Sequence, residues 1–172
     1  MKTAIFGVMA ALSLALFVIP AAQGKRGPDL NVRLSGSSFI TSSQDDGSPT
    51  PATEASTSLQ SGIAKGSGSA IFSAQTVTEQ PLPDANCPEA LPFGNDLTTS
   101  IVLTYDDGSI LSLSTTTDGT GSFCSDGVLF VAEFAGTVSG GDGRFEGASG
   151  TFVGSAQVDG TRLTGSISVD LD

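Results

Sequence analysis

The sequence predicts an all-β domain: a small antiparallel barrel of about eight strands, with a β-sandwich as the alternative. Apolar residues recur at every second position in several stretches, and glycine is abundant inside those stretches as well as between them. Beyond the first 24 residues no segment shows a helical period. Short strands with glycine-rich turns fit a barrel or a sandwich, and the glycines inside the strands favour the barrel.

At the start of the chain, Lys2 precedes an apolar run from Ala4 to Ile19, closed by Pro20 and the small residues Ala21 to Gly24. That is the order of a secretory signal peptide, and the run falls short of the roughly 20 apolar residues a spanning helix needs. Cleavage is expected after Gly24, so residues 1–24 are the leader. Residues 25–172 are then a single secreted domain, extracellular or periplasmic, with no membrane span.

A first strand is expected over Leu30 to Ile40. Residues 43–58 are polar, contain Pro49 and Pro51 and lack an apolar period, so they read as a flexible loop. A long strand is expected over Gln60 to Val77, followed by an irregular segment over residues 79–96 with Pro81, Pro83, Pro88, Pro92 and Gly94. Ile101, Leu103 and Tyr105 alternate on one side of Asp107-Gly108, and Ile110, Ser112 and Ser114 on the other, which predicts a hairpin.

Val128, Phe130, Ala132, Phe134, Gly136 and Val138 form a long strand. Phe152, Gly154, Ala156 and Val158 then pair through an Asp159-Gly160 turn with Leu163, Gly165, Ile167, Val169 and Leu171. The internal glycines Gly62, Gly66, Gly68, Gly136, Gly154 and Gly165 read as bulges or sharp bends that curl the sheet shut.

The chain carries 18 acidic and 7 basic residues, and only Lys2 of the basic ones precedes residue 25, so the mature formal charge is −12. Such a surface repels phosphate backbones and anionic lipid, which argues against nucleic acid and membrane partners. Cys87 and Cys124 form an even pair in an exported chain and read as one disulfide. No histidine is present to activate either sulfur, and histidine-dependent triads and zinc sites of the His/Cys type are excluded with it.

The most distinctive stretch runs from Val138 to Phe152. Gly140, Gly141 and Gly143 admit a turn, Phe145 returns the chain to the core, and Gly147 and Gly150 suit a bulge where the next strand begins. This stretch resembles the glycine-rich turn of the allene oxide cyclase and dirigent superfamily of eight-stranded barrels, which has secreted members of unknown role. The resemblance implies either cyclisation of a fatty-acid epoxide in an apolar cavity or guidance of phenolic radical coupling, and barrels of this kind often associate as homo-oligomers.

Neither activity carries over residue by residue. Tyr105 is the only tyrosine, and Glu133 is the one carboxylate on a largely apolar strand, with strand alternation directing it outward. Asp142 and Glu146 sit in a fragment similar to a calcium-binding nonapeptide, but that site needs stacked repeats and one copy is present. No catalytic residue, cofactor or metal is therefore assigned.

The leading expectation is a non-enzymatic exported barrel that binds a small apolar ligand or serves as a structural or interaction module. An isomerase or cyclase acting in the same cavity is the alternative, and a β-sandwich adhesion module is the third reading.

Overall fold

The computed structural model describes residues 29–43, 56–115 and 121–172. Ten strands occur among the described residues: β1 (Leu30–Ser43), β2 (Ser56–Gly66), β3 (Gly68–Thr78), β4 (Leu82–Pro83), β5 (Phe93–Tyr105), β6 (Ile110–Thr115), β7 (Gly121–Ser125), β8 (Leu129–Asp142), β9 (Gly150–Asp159) and β10 (Arg162–Leu171). Neighbouring strands run antiparallel, and the pairing of β3 with β5 joins the two ends of the sheet. β6 and β7 both lie between β5 and β8, so they share one position in the wall, and β4 is a two-residue addition alongside β5. The result is a closed eight-stranded barrel, which excludes the sandwich alternative.

Inward positions carry the core. Leu30, Val32 and Leu34 of β1 alternate with exposed residues, as do Leu163, Ile167, Val169 and Leu171 of β10. These two strands pair in register from Leu30 opposite Val169 to Ser37 opposite Arg162. In the two-residue loop after Asp159, Gly160 takes the first central position with a φ of 58°, a conformation that costs glycine little. The β5 to β6 hairpin turns through Gly108, with a φ of 81°.

Several expectations change. The long strand over Gln60 to Val77 is a hairpin of β2 and β3, reversing at Ser67 between Gly66 and Gly68. Inward residues keep the same parity on both sides of the turn, Gln60 and Ala64 before it and Ala70 and Phe72 after it, so alternation alone reads straight through. On β6 the inward residues are Leu111, Leu113 and Thr115, because Leu111 stands opposite Leu103; Ile110, Ser112 and Ser114 are half-buried on the other face. The irregular segment is shorter than 79–96, since β5 begins at Phe93. The segment expected as a loop over 43–58 gives Ser43 to β1 and residues 56–58 to β2, while its remainder and the leader over 1–24 lie outside the described residues.

The internal glycines mainly make room for rings. Gly62 stands opposite Phe72, Gly154 opposite Phe134 and Gly136 opposite Phe152. A Cβ at Gly154 would run into the Phe134 ring, and one at Gly136 would meet both the β6 backbone and Phe152. Large and small residues thus face one another across adjacent strands and interdigitate. The register shifts lie elsewhere, between Ile40 and Ser42 on β1 and between Ser112 and Leu113 on β6, where β8 carries the extra residue Ser139.

The irregular segment after β4 is held against the barrel by the Cys87–Cys124 disulfide. Cys124 stands opposite Gly94, and a Cβ at Gly94 would collide with the Cys87 sulfur, so glycine there lets the bridge lie across β5.

This packing sets two expectations for stability. Gly154→Ala should destabilise by about 1–3 kcal/mol in a denaturant titration through overpacking, and Phe134→Leu in the same chain should recover part of that loss. The paired Cys87→Ser/Cys124→Ser chain should lose ~3–4 kcal/mol in the same assay, the loop-closure effect for a separation of 37 residues.

Candidate functional site

Three places could carry chemistry: the barrel interior, the end of the barrel beneath the glycine-rich turn, and the outer wall.

The interior divides into an apolar half and a half with a polar lining. Gln60 on β2, Thr76 on β3 and Thr99 on β5 occupy inward positions on three adjacent strands. The Thr76 hydroxyl lies 3.2 Å from Gln60 Oε1 and 3.0 Å from Thr99 Oγ1. Gln60 Nε2 donates to Ser58 Oγ at 2.6 Å and to Ser38 Oγ at 3.3 Å. Thr115 Oγ1 accepts from the Thr99 backbone N–H at 2.9 Å. The set satisfies its own hydrogen bonds, as buried polar groups must.

Beside it lies a cavity of about 50 Å³, walled by Phe72, Phe130, Phe134 and Leu97 as well as the three polar residues. Small-molecule pockets usually measure about 300–1,000 Å³, whereas this space is on the scale of ordered water. Among the described residues, no titratable side chain lines it.

At the opposite end, Tyr105 is buried with 4% of its surface exposed, and its ring lies 5.1 Å from that of Phe145. The Arg144 guanidinium stacks over the Tyr105 ring at 4.2 Å and donates to Asp107 Oδ2 at 3.1 Å. The Arg144 backbone N–H donates to Ser109 Oγ, so the turn after β8 is tied to the turn after β5. Tyr105 Oη is buried without a hydrogen-bond partner among the described residues, while the guanidinium carbon lies 4.2 Å from the centre of its ring.

Burial pushes the Tyr105 phenol above its ordinary value, and the adjacent Arg144 charge offsets part of that rise. The Ser109 backbone N–H holds the Asp107 carboxyl below the usual range, and the Leu129 and Val128 N–H groups do the same for Asp126.

The residues of the glycine-rich stretch occupy different settings. Gly140 and Gly141 belong to β8, opposite Ser112 and Leu111, so they form strand and not turn. Gly143 begins a 3-10 turn over Gly143–Phe145 with a φ of 64°, capped by the Asp142 carboxylate. Phe145 is buried and Gly147 turns with a φ of 71°. Gly150 pairs with Leu171 without a bulge, and a Cβ there would meet the Asp170 carbonyl.

On the outside, an open concavity of about 1170 Å³ crosses β1, β10, β9 and β8, with Arg33 and Lys65 at one side and Glu133 at the other. Its floor carries serine hydroxyls, of which those of Ser155 and Ser166 lie 3.3 Å apart. Glu133 is exposed there, between Ser122 and Ser155. Among the described residues, no group of three or more His, Cys, Asp or Glu side chains could hold a metal ion, and no helix is long and apolar enough to cross a membrane.

Gln60, Thr76 and Thr99 are absent from the expectations drawn from the sequence, although polar residues at the inward parity of otherwise apolar strands are a readable signal. No family model, curated protein or solved structure matches the chain.

Tyr105 is the only tyrosine and the chain has no tryptophan, so phenolate absorbance reports it alone. The native chain should ionise above the ordinary value of about 10, and the urea-unfolded chain near it. Because the folded pKa is the higher one, the associated stability is complete below about pH 10 and declines as pH rises through the folded value. Equal titration in the two states would contradict the buried setting.

Proposed function

We propose that the protein is an exported, non-catalytic barrel that acts as a structural or interaction module through its outer surface. The observation that carries this reading is the packed core among the described residues: the space beside Gln60, Thr76 and Thr99 measures about 50 Å³. Export is supported by the leader-like character of residues 1–24 and by the disulfide, a bond characteristic of oxidising compartments.

The expected likeness to allene oxide cyclase and dirigent barrels contributes architecture to this proposal and no activity. Cyclisation of a fatty-acid epoxide needs a cavity that admits and folds the substrate, and the space beside Gln60, Thr76 and Thr99 measures about 50 Å³. Strand addition is disfavoured along the barrel wall, where closure pairs the edges, and the lengths paired on one side only are β4 and the end of β1 beyond Ser38.

Binding of a small ligand is the second reading, favoured by the polar set at Gln60, Thr76 and Thr99 facing the space. It requires Phe130 or Phe134 to swing aside. Mass spectrometry of the chain purified from its native source under non-denaturing conditions separates the two: no stoichiometric lipid or phenolic species is expected, and recovery of one would overturn the packed-core reading.

A further inference from the structure

A single outward row of side chains crosses six strands of the barrel. Lys65 of β2 stands opposite Arg33 of β1, Arg33 opposite Ser166 of β10, Ser166 opposite Ser155 of β9, Ser155 opposite Glu133 of β8, and Glu133 opposite Ser122 of β7. All six are exposed. Two long cations therefore flank two short hydroxyls, with a carboxylate on the far side, and the open concavity of about 1170 Å³ lies over this row. From Arg33 to Glu133 is three strand spacings, about 14 Å along the wall.

The cations are the unusual part of the row. The chain carries 18 acidic residues and 7 basic ones, so an ion-pair partner is easily found, as Arg144 finds Asp107. Arg33 and Lys65 instead stand side by side, and neither has an ion-pair partner among the described residues. β1, β2 and β3 contain no carboxylate to neutralise them. Like charges directly opposite on neighbouring strands repel, and an anion seated between them relieves that repulsion.

We infer that this trough binds a short acidic saccharide, with its carboxylate between Arg33 and Lys65 and its hydroxyls on the serines. The planar Arg33 guanidinium matches a carboxylate with two parallel hydrogen bonds. Ser155 and Ser166 lie with their hydroxyls 3.3 Å apart, and each can both donate to and accept from a sugar hydroxyl. Glu133 accepts from a hydroxyl at the far end and turns a second anionic group away. A long polyanion is repelled by the mature charge of −12, so the fitting ligand is short and charged at one end. The inference deepens the reading that the protein works through its outer surface, and rests on it.

Isothermal titration calorimetry of the full mature chain at low salt tests it, with the disaccharide cellobiouronate as the probe and cellobiose as its uncharged counterpart. Cellobiouronate should bind at least about tenfold more tightly than cellobiose, a preference that added salt should reduce. Arg33→Ser/Lys65→Ser should weaken it by at least about tenfold. Ser155→Ala/Ser166→Ala should weaken it by about twofold to tenfold through lost hydrogen bonds. Arg162→Ser, which removes a positive charge from β10 outside the trough, should leave affinity unchanged. Circular dichroism confirms that each variant retains its strands.

Absence of cellobiouronate binding overturns the inference, as does binding that survives the Arg33/Lys65 substitution or falls equally with Arg162→Ser. Sulfate bound as tightly as cellobiouronate, or a serine pair without effect, would mark a simple anion site and overturn the saccharide. Recovery of an interior lipid or phenolic species is read separately, so failure of this inference and failure of the packed-core reading can be told apart.

Discussion

Closing eight strands into a barrel leaves an interior about wide enough for the side chains that point into it, and the way this volume is filled governs the rest of the molecule. Phe72, Phe134 and Phe152 are too large to face one another at every level, so each projects over a glycine on the neighbouring strand. The glycines give up side-chain contacts of their own, and the rings cover the exposed backbone in return. Packing of this kind fixes the register, because a one-residue slip would move each ring away from its seat and turn the core face outward. It also leaves little interior space for a ligand.

The polar half of the interior obeys the same constraint. Gln60, Thr76, Thr99 and their serine and threonine partners form hydrogen bonds with one another, which removes most of the cost of burying them. Such a network specifies which strands lie side by side, since displacement of any one strand would leave a buried donor or acceptor unpaired. Tyr105 is the exception. Its hydroxyl is buried without a partner among the described residues while its ring supports Arg144 and Phe145, so the end of the barrel gains aromatic and cation–π contacts at the expense of one unsatisfied polar atom.

Local features of the fold are legible in the sequence. Alternation identifies β1, β8, β9 and β10, and the Asp-Gly pairs mark the hairpins at Gly108 and Gly160 because turn chemistry is set by adjacent residues. Features that depend on distant neighbours are not legible. The reversal at Ser67 preserves inward parity, the shared position of β6 and β7 depends on both flanking strands, and the role of Gly154 depends on Phe134 standing opposite. The same distinction applies to the candidate sites: Asp107 and Arg144 are far apart in the chain and meet only because two turns lie at the same end of the barrel.

The outer wall is less constrained by the fold, which makes its composition informative. Inward residues must fill the barrel, but outward residues need only tolerate a strand conformation and water. Intrinsic β-propensity favours Ile, Val and Phe on any strand, so propensity alone would distribute them around the barrel. On β10 the outward positions are instead Arg162, Thr164, Ser166, Ser168 and Asp170, with no apolar residue among them. Phe39, Leu59, Ile63 and Ile71 are outward on β1 to β3 and Val153 is outward on β9, so exposed apolar side chains follow strand propensity on several strands and β10 is the exception. On β1 to β3 they fall into two groups, Phe39 with Leu59 and Ile63 with Ile71, separated by the outward row Ser37, Ser61 and Ser73, and the strands that carry them hold no carboxylate.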